Sequence, residues 1–353
     1  MSRFFSKKYS SLSAYVPGEQ PRDMKYVKLN TNESPFPVSE KVIEAAAKGA
    51  ENVNLYSDPE CTALREKMSE IFGVGKENIL MTNGSDEALN FAFMAFCDKE
   101  HPIVFPDITY GFYPVFAELN FLPFEQIPLD EDFKIRTQDY IGINKNIVIA
   151  NPNAPTGICL TLEEIKKIVS SNPENVVIID EAYVDFGADS ATPLTEKYKN
   201  LLVTGTFSKS RSMAGARLGF AIGNEELIND LNTIKYSTNP YNVNRMTAAA
   251  GVAILEENDR CLELCRQIAH TREKTKNALE KLGFFVTDSK ANFLFAKSDK
   301  ISGEKLYTEL KKRGVLIRHF SVPTIKDFNR ITIGSEEQMK VFLDKVEEII
   351  KGI

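Results

Sequence analysis

The chain predicts an α/β fold: one large, mostly parallel sheet flanked by helices, followed by a smaller α+β part. Three observations carry this. Between about residues 60 and 240, short apolar runs alternate with longer amphipathic stretches, as they do when strands and helices take turns along a chain. The runs are nearly continuous in apolar residues, which suits strands buried on both faces. After about residue 240 the texture changes to a long charged helical pattern, several short strands and a last amphipathic helix.

Taken in order, residues 1–30 read as an arm, with Pro17-Gly18 and Pro21 as turn signals. Ser39 opens a helical stretch that runs to Lys48. Buried strands are expected at Ile79–Met81, Ile103–Phe105, Ile147–Ala150, Val176–Ile179 and Leu201–Val203. Between several of them lie helical patterns, such as the one after Thr161, where Thr161 and Glu164 form a capping box. The charged helix from Asp259 to Lys281 ends at Gly283, a residue suited to a helix C-terminus. Strands at Phe284–Val286, Asn292–Ala296, Val315–Arg318 and Arg330–Ile333, with a helix near Lys305, complete the smaller part. The division expected is an arm (1–30) packing on the small domain or on a partner, a large domain (31–245) and a small one (246–353).

Composition excludes several classes. Hydrophobic residues at 43% and charged residues at 26% are ordinary for a soluble globular chain. A net charge of −6, without a basic stripe, argues against nucleic acid or an anionic membrane as partner. No apolar run approaches the roughly 20 residues of a membrane span. Five cysteines without a Cys-x-x-Cys pair and only three histidines point away from a disulfide framework and from a metal site. The N-terminus lacks an apolar signal core, so a cytoplasmic setting is expected.

The chemistry gathers at predicted strand ends, where ligands bind in open α/β sheets. Lys209 follows the Leu201 run in the phrase Gly205-Thr-Phe-Ser-Lys-Ser-Arg, with Arg217 shortly after it. A lysine there can form a Schiff base with an aldehyde cofactor while Ser208 and Arg217 hold that cofactor's phosphate. Thr82-Asn-Gly-Ser-Asp-Glu opens a helix after the Ile79 strand, and Gly84 permits a tight turn that leaves N–H groups free for an anion. An ordinary capped strand-to-helix turn would read the same way. Asn151-Pro-Asn-Ala-Pro-Thr-Gly157 follows the Ile147 strand, and Asn153 can donate to a cofactor oxygen; a rigid loop without function is the alternative. Asp180 ends the Val176 run, where a carboxylate needs a cationic partner to offset its desolvation. A protonated pyridine nitrogen is such a partner, and a helix-capping aspartate is the rival.

On these residues the chain resembles the pyridoxal-phosphate aminotransferases of fold type I, and within them the histidinol-phosphate aminotransferases. The resemblance runs from Tyr15-Val-Pro-Gly through Leu29-Asn-Thr-Asn-Glu, Gly84-Ser-Asp-Glu, Asn151 to Gly157, Asp180-Glu-Ala-Tyr and Thr206-Phe-Ser-Lys to Arg330-Ile-Thr-Ile-Gly. It implies a seven-stranded large sheet and pyridoxal 5'-phosphate as cofactor. Lys209 would carry the cofactor and act as the base. Asp180 would pair with the pyridine nitrogen, Tyr183 would hydrogen-bond the ring's phenolic oxygen, and Tyr110 would stack on the ring. Ser85, Asp86, Ser208 and Arg217 would surround the phosphate, with Tyr56 reaching it from the neighbouring subunit of a homodimer with shared sites. Ordinary aromatic packing is the alternative for Tyr56 and Tyr110.

For the substrate, the resemblance assigns Tyr15, Arg318 and Arg330 to a phosphate, and two arginines suit a dianion better than one carboxylate. A surface ion pair is the plainer role for Arg318. The reaction implied is amino transfer between histidinol phosphate and 2-oxoglutarate, in histidine biosynthesis. An amino-acid-phosphate decarboxylase and a transaminase for aromatic or other amino acids are the alternatives. The chain departs from the family pattern twice. Ala154 stands where an asparagine is usual, leaving the ring-oxygen contact to Asn153 or Tyr183, and Ser57 stands where proline is common after Tyr56.

Overall fold

The computed structural model describes residues 2–352. Thirteen strands are present among them: β1 (Val27–Lys28), β2 (Ile79–Thr82), β3 (Ile103–Pro106), β4 (Phe124–Ile127), β5 (Asn146–Ala150), β6 (Val177–Asp180), β7 (Leu201–Thr206), β8 (Gly219–Gly223), β9 (Phe284–Val286), β10 (Phe293–Ser298), β11 (Val315–Leu316), β12 (Arg318–His319) and β13 (Asn329–Thr332). Seven form the large sheet in the order β2-β8-β7-β6-β5-β3-β4. All neighbours are parallel except β8, which runs antiparallel to both β2 and β7.

Side chains of a strand alternate between faces, and here each face has its own core. Ile147, Ile149, Val177, Ile179, Leu201 and Val203 pack on one side with the helix Leu162–Ser171. Val148, Ala150, Ile178, Leu202 and Ala221 pack on the other, under the helices Ser85–Phe96, Phe112–Leu119 and Glu225–Thr238. β5 and β6 are buried along their whole length, as expected for central strands covered on both sides. The expected caps are present: Thr161 and Glu164 satisfy each other's backbone N–H groups, and Ser39 accepts from Val42 N–H.

Two strands of this sheet escape sequence reading. β4 is a four-residue edge strand of which no residue is fully buried, so it shows no apolar run. β8 begins and ends in glycine, which reads as turn rather than strand. Gly219 is needed for a close approach: a Cβ there would lie 2.4 Å from the backbone of Gly84 and Ser85.

The second sheet, β12-β13-β10-β9, is antiparallel. It packs with the helices Gly303–Lys312 and Glu336–Lys351 around Leu294, Leu306, Leu310, Phe342 and Val346. The expected strand Val315–Arg318 divides. β11 pairs in parallel with β1, whereas β12 turns to pair with β13, bringing Arg318 opposite Arg330. The segment after β1 then crosses to the large sheet at residues 30–33.

Candidate active site

Register aligns the strand ends. Ala150 of β5 stands beside Asp180 of β6, and Asp180 beside Thr204 of β7. The residues following each strand therefore open into one cleft of about 630 Å³, closed on its far side by Arg318, Phe320 and Arg330.

Lys209 leaves β7 after the turn Thr206–Ser208. Its Nζ donates to the carbonyl of Thr31 at 3.2 Å and lies 5.9 Å from the centre of the Tyr183 ring. Burial, then the Arg330 charge, lower its pKa to about 8, so near neutrality a fraction of the amine is free.

Asp180 is buried, and burial raises its pKa to about 6. Tyr113 donates to Oδ2 at 2.9 Å, and the Ala182 N–H and Thr204 hydroxyl also favour the ionised form, while Oδ1 has no well-formed hydrogen bond. A carboxylate left half-satisfied in a cleft wall costs stability unless a donor reaches it. Tyr113, three residues beyond Tyr110, is a site residue that sequence reasoning misses, because only the fold brings it to Asp180.

An anion cradle faces these groups. Helix Ser85–Phe96 starts at Gly84 (φ +81°) with no side chain capping it, which leaves its N-terminal N–H groups and dipole for a ligand. Arg217 donates to Asp86 Oδ2 at 3.0 Å and to Ser208 Oγ at 3.4 Å. A Cβ on Gly84 would lie 2.5 Å from the Arg217 guanidinium, so the glycine makes room for that charge. Tyr110 donates to Asp86 Oδ1 at 2.7 Å. Burial, then Asp86, hold its phenol well above the usual range.

Tyr15 stacks on Phe112 with centroids 4.2 Å apart and lines the cleft with Tyr110. Arg318 donates to the carbonyls of Val16 and Pro17, both at 3.3 Å. Arg330 donates to Asn30 O at 3.1 Å, and its Nε is buried without a partner.

Two candidate residues lie outside the cleft of their own chain, Tyr56 being one expected to act in the neighbouring subunit's site. Asn153 does not turn into the cleft, because the loop uses its amide internally. Nδ2 donates to Ile108 O at 2.9 Å and Thr156 Oγ1 at 3.1 Å, and Oδ1 accepts from Thr109 at 2.7 Å. Ala154 lines the cleft instead. Tyr56 is 76% exposed and stacks on Tyr241, away from the cleft of its own chain. Thr31 and Asn32 are further site residues; the phrase Leu29-Asn-Thr-Asn-Glu marks them, but nothing local says which groups they touch.

Glu181, next to Asp180, is buried behind the cleft. Although Ser190 and the Ala191 N–H donate to it, burial dominates and raises its pKa to about 8. A carboxyl raised this way favours folding below its ordinary pKa, and that contribution fades as pH climbs to about 8. Thermal unfolding of the cofactor-free protein should therefore show stability falling by a few kcal/mol between pH 5 and 8, and Glu181→Gln should flatten that fall.

The sheet order, the lysine after β7 and the carboxylate ending β6 define a fold type I aminotransferase. Residues 24–346 match the family model for aminotransferase class I and II, and the chain belongs to that family. Within it, the chain is 48% identical to a histidinol-phosphate aminotransferase of Brachyspira hyodysenteriae, over the full length of both. It also superposes on the crystal structure of the histidinol-phosphate aminotransferase from Clostridium acetobutylicum with a TM-score of 0.85, at 25% identity, covering 92% of this chain and 99% of that one. The Sinorhizobium meliloti histidinol-phosphate aminotransferase in complex with pyridoxal-5'-phosphate shares the fold, with a TM-score of 0.85 at 21% identity over 93% of this chain and 92% of that one. No helix among the described residues is long and apolar enough to cross a membrane.

Proposed function

We propose that the chain moves an amino group between histidinol phosphate and 2-oxoglutarate, in histidine biosynthesis, with pyridoxal 5'-phosphate held by Lys209. One observation carries the substrate half. Arg318 and Arg330 stand opposite one another across β12 and β13, and among the described residues their hydrogen bonds go only to backbone carbonyls. Like charges directly opposite on a sheet repel. A dianionic phosphate between them removes the repulsion and receives planar donors from both sides. Tyr15 then closes over that phosphate.

Three features support the cofactor. Asp180 Oδ1 has no well-formed hydrogen bond and suits a protonated ring nitrogen. The uncapped helix at Ser85 and Asp86, with Ser208 and Arg217, suits a phosphate. The missing side chain at Gly84 keeps that space open. When bound, pyridoxal phosphate supplies an aldehyde for the lysine and a ring that accepts electrons. Lys209 Nζ takes and returns the proton at the substrate carbon, Asp180 keeps the ring nitrogen charged, Tyr183 donates to the ring oxygen, and Tyr110 stacks on the ring.

The same reading makes the protein a cytoplasmic homodimer with shared sites, in which Tyr56 reaches the neighbouring subunit's phosphate; its exposure supports this. Residues 31–245 and 246–353 serve as large and small domains, with 1–30 as an arm on the small one, in keeping with the clasp of β1 on β11.

The test is incubation with histidinol phosphate and 2-oxoglutarate, which should yield glutamate. Carbon dioxide released from a phosphorylated amino acid, without glutamate, would sink the transaminase reading. Arg318→Ala should lower kcat/KM for phosphorylated substrates by about 10- to 100-fold, as expected for a charged hydrogen bond, and leave unphosphorylated ones nearly unchanged. Equal losses on both would turn the site towards a carboxylate.

A further inference from the structure

Asn32 is fully buried and lies in the left-handed region at φ +55°, a conformation that asparagine tolerates better than most residues. Four hydrogen bonds fix it there. Its N–H donates to Thr332 Oγ1 at 2.9 Å, and the Thr332 hydroxyl donates back to Asn32 Oδ1 at 3.0 Å. Asn292 Nδ2 donates to its carbonyl at 3.0 Å. Its own Nδ2 points to the Tyr183 hydroxyl at 3.0 Å.

The direction of each bond follows from counting protons. Thr332 Oγ accepts the Asn32 N–H and is buried, so its single proton needs an acceptor and Oδ1 supplies it, which leaves the amide NH2 facing Tyr183. The amide has no acceptor to offer there, so it donates, and the Tyr183 oxygen accepts. The phenol's own proton is then free to point into the cleft. At the neighbouring wall Ala154 has no polar side-chain atom, and the Asn153 amide is held by Ile108, Thr109 and Thr156.

We propose that Asn32 is the positioning residue that makes Tyr183 an obligate donor into the cleft, aimed at the phenolic oxygen of the bound cofactor. The inference rests on the reading of Tyr183 as the ring-oxygen donor. Thr332 and Asn292 serve Asn32 in turn, so the small sheet sets the orientation of a group above the large one.

The test is a spectroscopic pH titration of the cofactor-loaded protein, following its visible band, with thermal melts alongside. Tyr183→Phe should raise the midpoint of the band by about one pH unit, the size of shift one lost hydrogen bond to a charged form gives. Asn32→Asp keeps the acceptor for Thr332 and the tolerance for positive φ, but offers Tyr183 an acceptor. It should produce a rise of the same size, because the phenol turns inward. Asn32→Ala offers the phenol no acceptor, so it should leave the midpoint nearly unmoved, and in the Asn32→Asp/Tyr183→Phe pair the two shifts should not add fully.

A lowered melting temperature with an unmoved midpoint in Asn32→Asp would overturn the proposal and leave Asn32 a purely structural residue. Additive shifts in the pair would also overturn it. No shift in Tyr183→Phe would remove the reading of Tyr183 itself, and the proposal with it. If Asn32→Ala does not fold, Asn32→Asp decides the matter.

Discussion

Replacing Lys209 with alanine is expected to lower turnover by about four orders of magnitude, the upper end of what one positioned acid–base group supplies. The amine is held at the cleft floor by the Thr31 carbonyl, and burial lowers its pKa to about 8. It is thus a group that can both bind an aldehyde and carry a proton near neutrality. Borohydride should attach the cofactor covalently to the unaltered chain and not to the variant. Mass measurement of the two treated proteins checks this. A variant that is still labelled, or still active, would remove Lys209 from the reaction.

Asp180→Ala should have the second largest effect, a loss of about 100- to 1,000-fold in kcat, comparable to deleting one preorganised electrostatic partner. It removes a carboxylate and leaves the buried Tyr113 hydroxyl without its acceptor, so Asp180→Asn is the cleaner variant for separating charge from packing. pH gives the sign. Asp180 has its pKa raised to about 6 by burial, and a cationic ring nitrogen attracts only the ionised form. Cofactor affinity should therefore increase as pH rises through about 6 in the unaltered protein. In Asp180→Asn the rise should vanish. Equilibrium dialysis or fluorescence titration at pH 5 and 7.5 measures both.

Much of this site is legible along the chain, because its parts sit in short phrases at strand ends. Asp180 follows an apolar run directly, Lys209 and Gly84 with Ser85 follow theirs within a few residues, and Arg217 lies just beyond Lys209. Parallel register aligns the ends of β5, β6 and β7, and the antiparallel β8 joins β2 to them. The capping box at Thr161 is equally local. What is hidden depends on tertiary partners. β8 is a strand because Gly219 slides against the Gly84 turn, not because its residues favour strands. Tyr113 matters through Asp180, and Asn32 through Thr332, 300 residues away. Asn153 misleads for the same reason. An amide beside a cleft looks available until its neighbours Ile108, Thr109 and Thr156 are seen to occupy it.

The segment 30–32 gives the site a ruler. Three consecutive residues each hold a different functional group: Asn30 the guanidinium of Arg330, Thr31 the amine of Lys209, and Asn32 the phenol of Tyr183. Arg330 and Thr332 extend from the same face of β13, so the segment is fastened to that strand at both ends. The separation between the Arg330 guanidinium and the Lys209 amine is therefore set by two neighbouring backbone carbonyls. A substrate with one methylene too many or too few between its anionic tail and its amino-bearing carbon would hold the wrong atom over Lys209. On the proposed reading of Arg330 and Lys209, selection by length is built into the path of the chain.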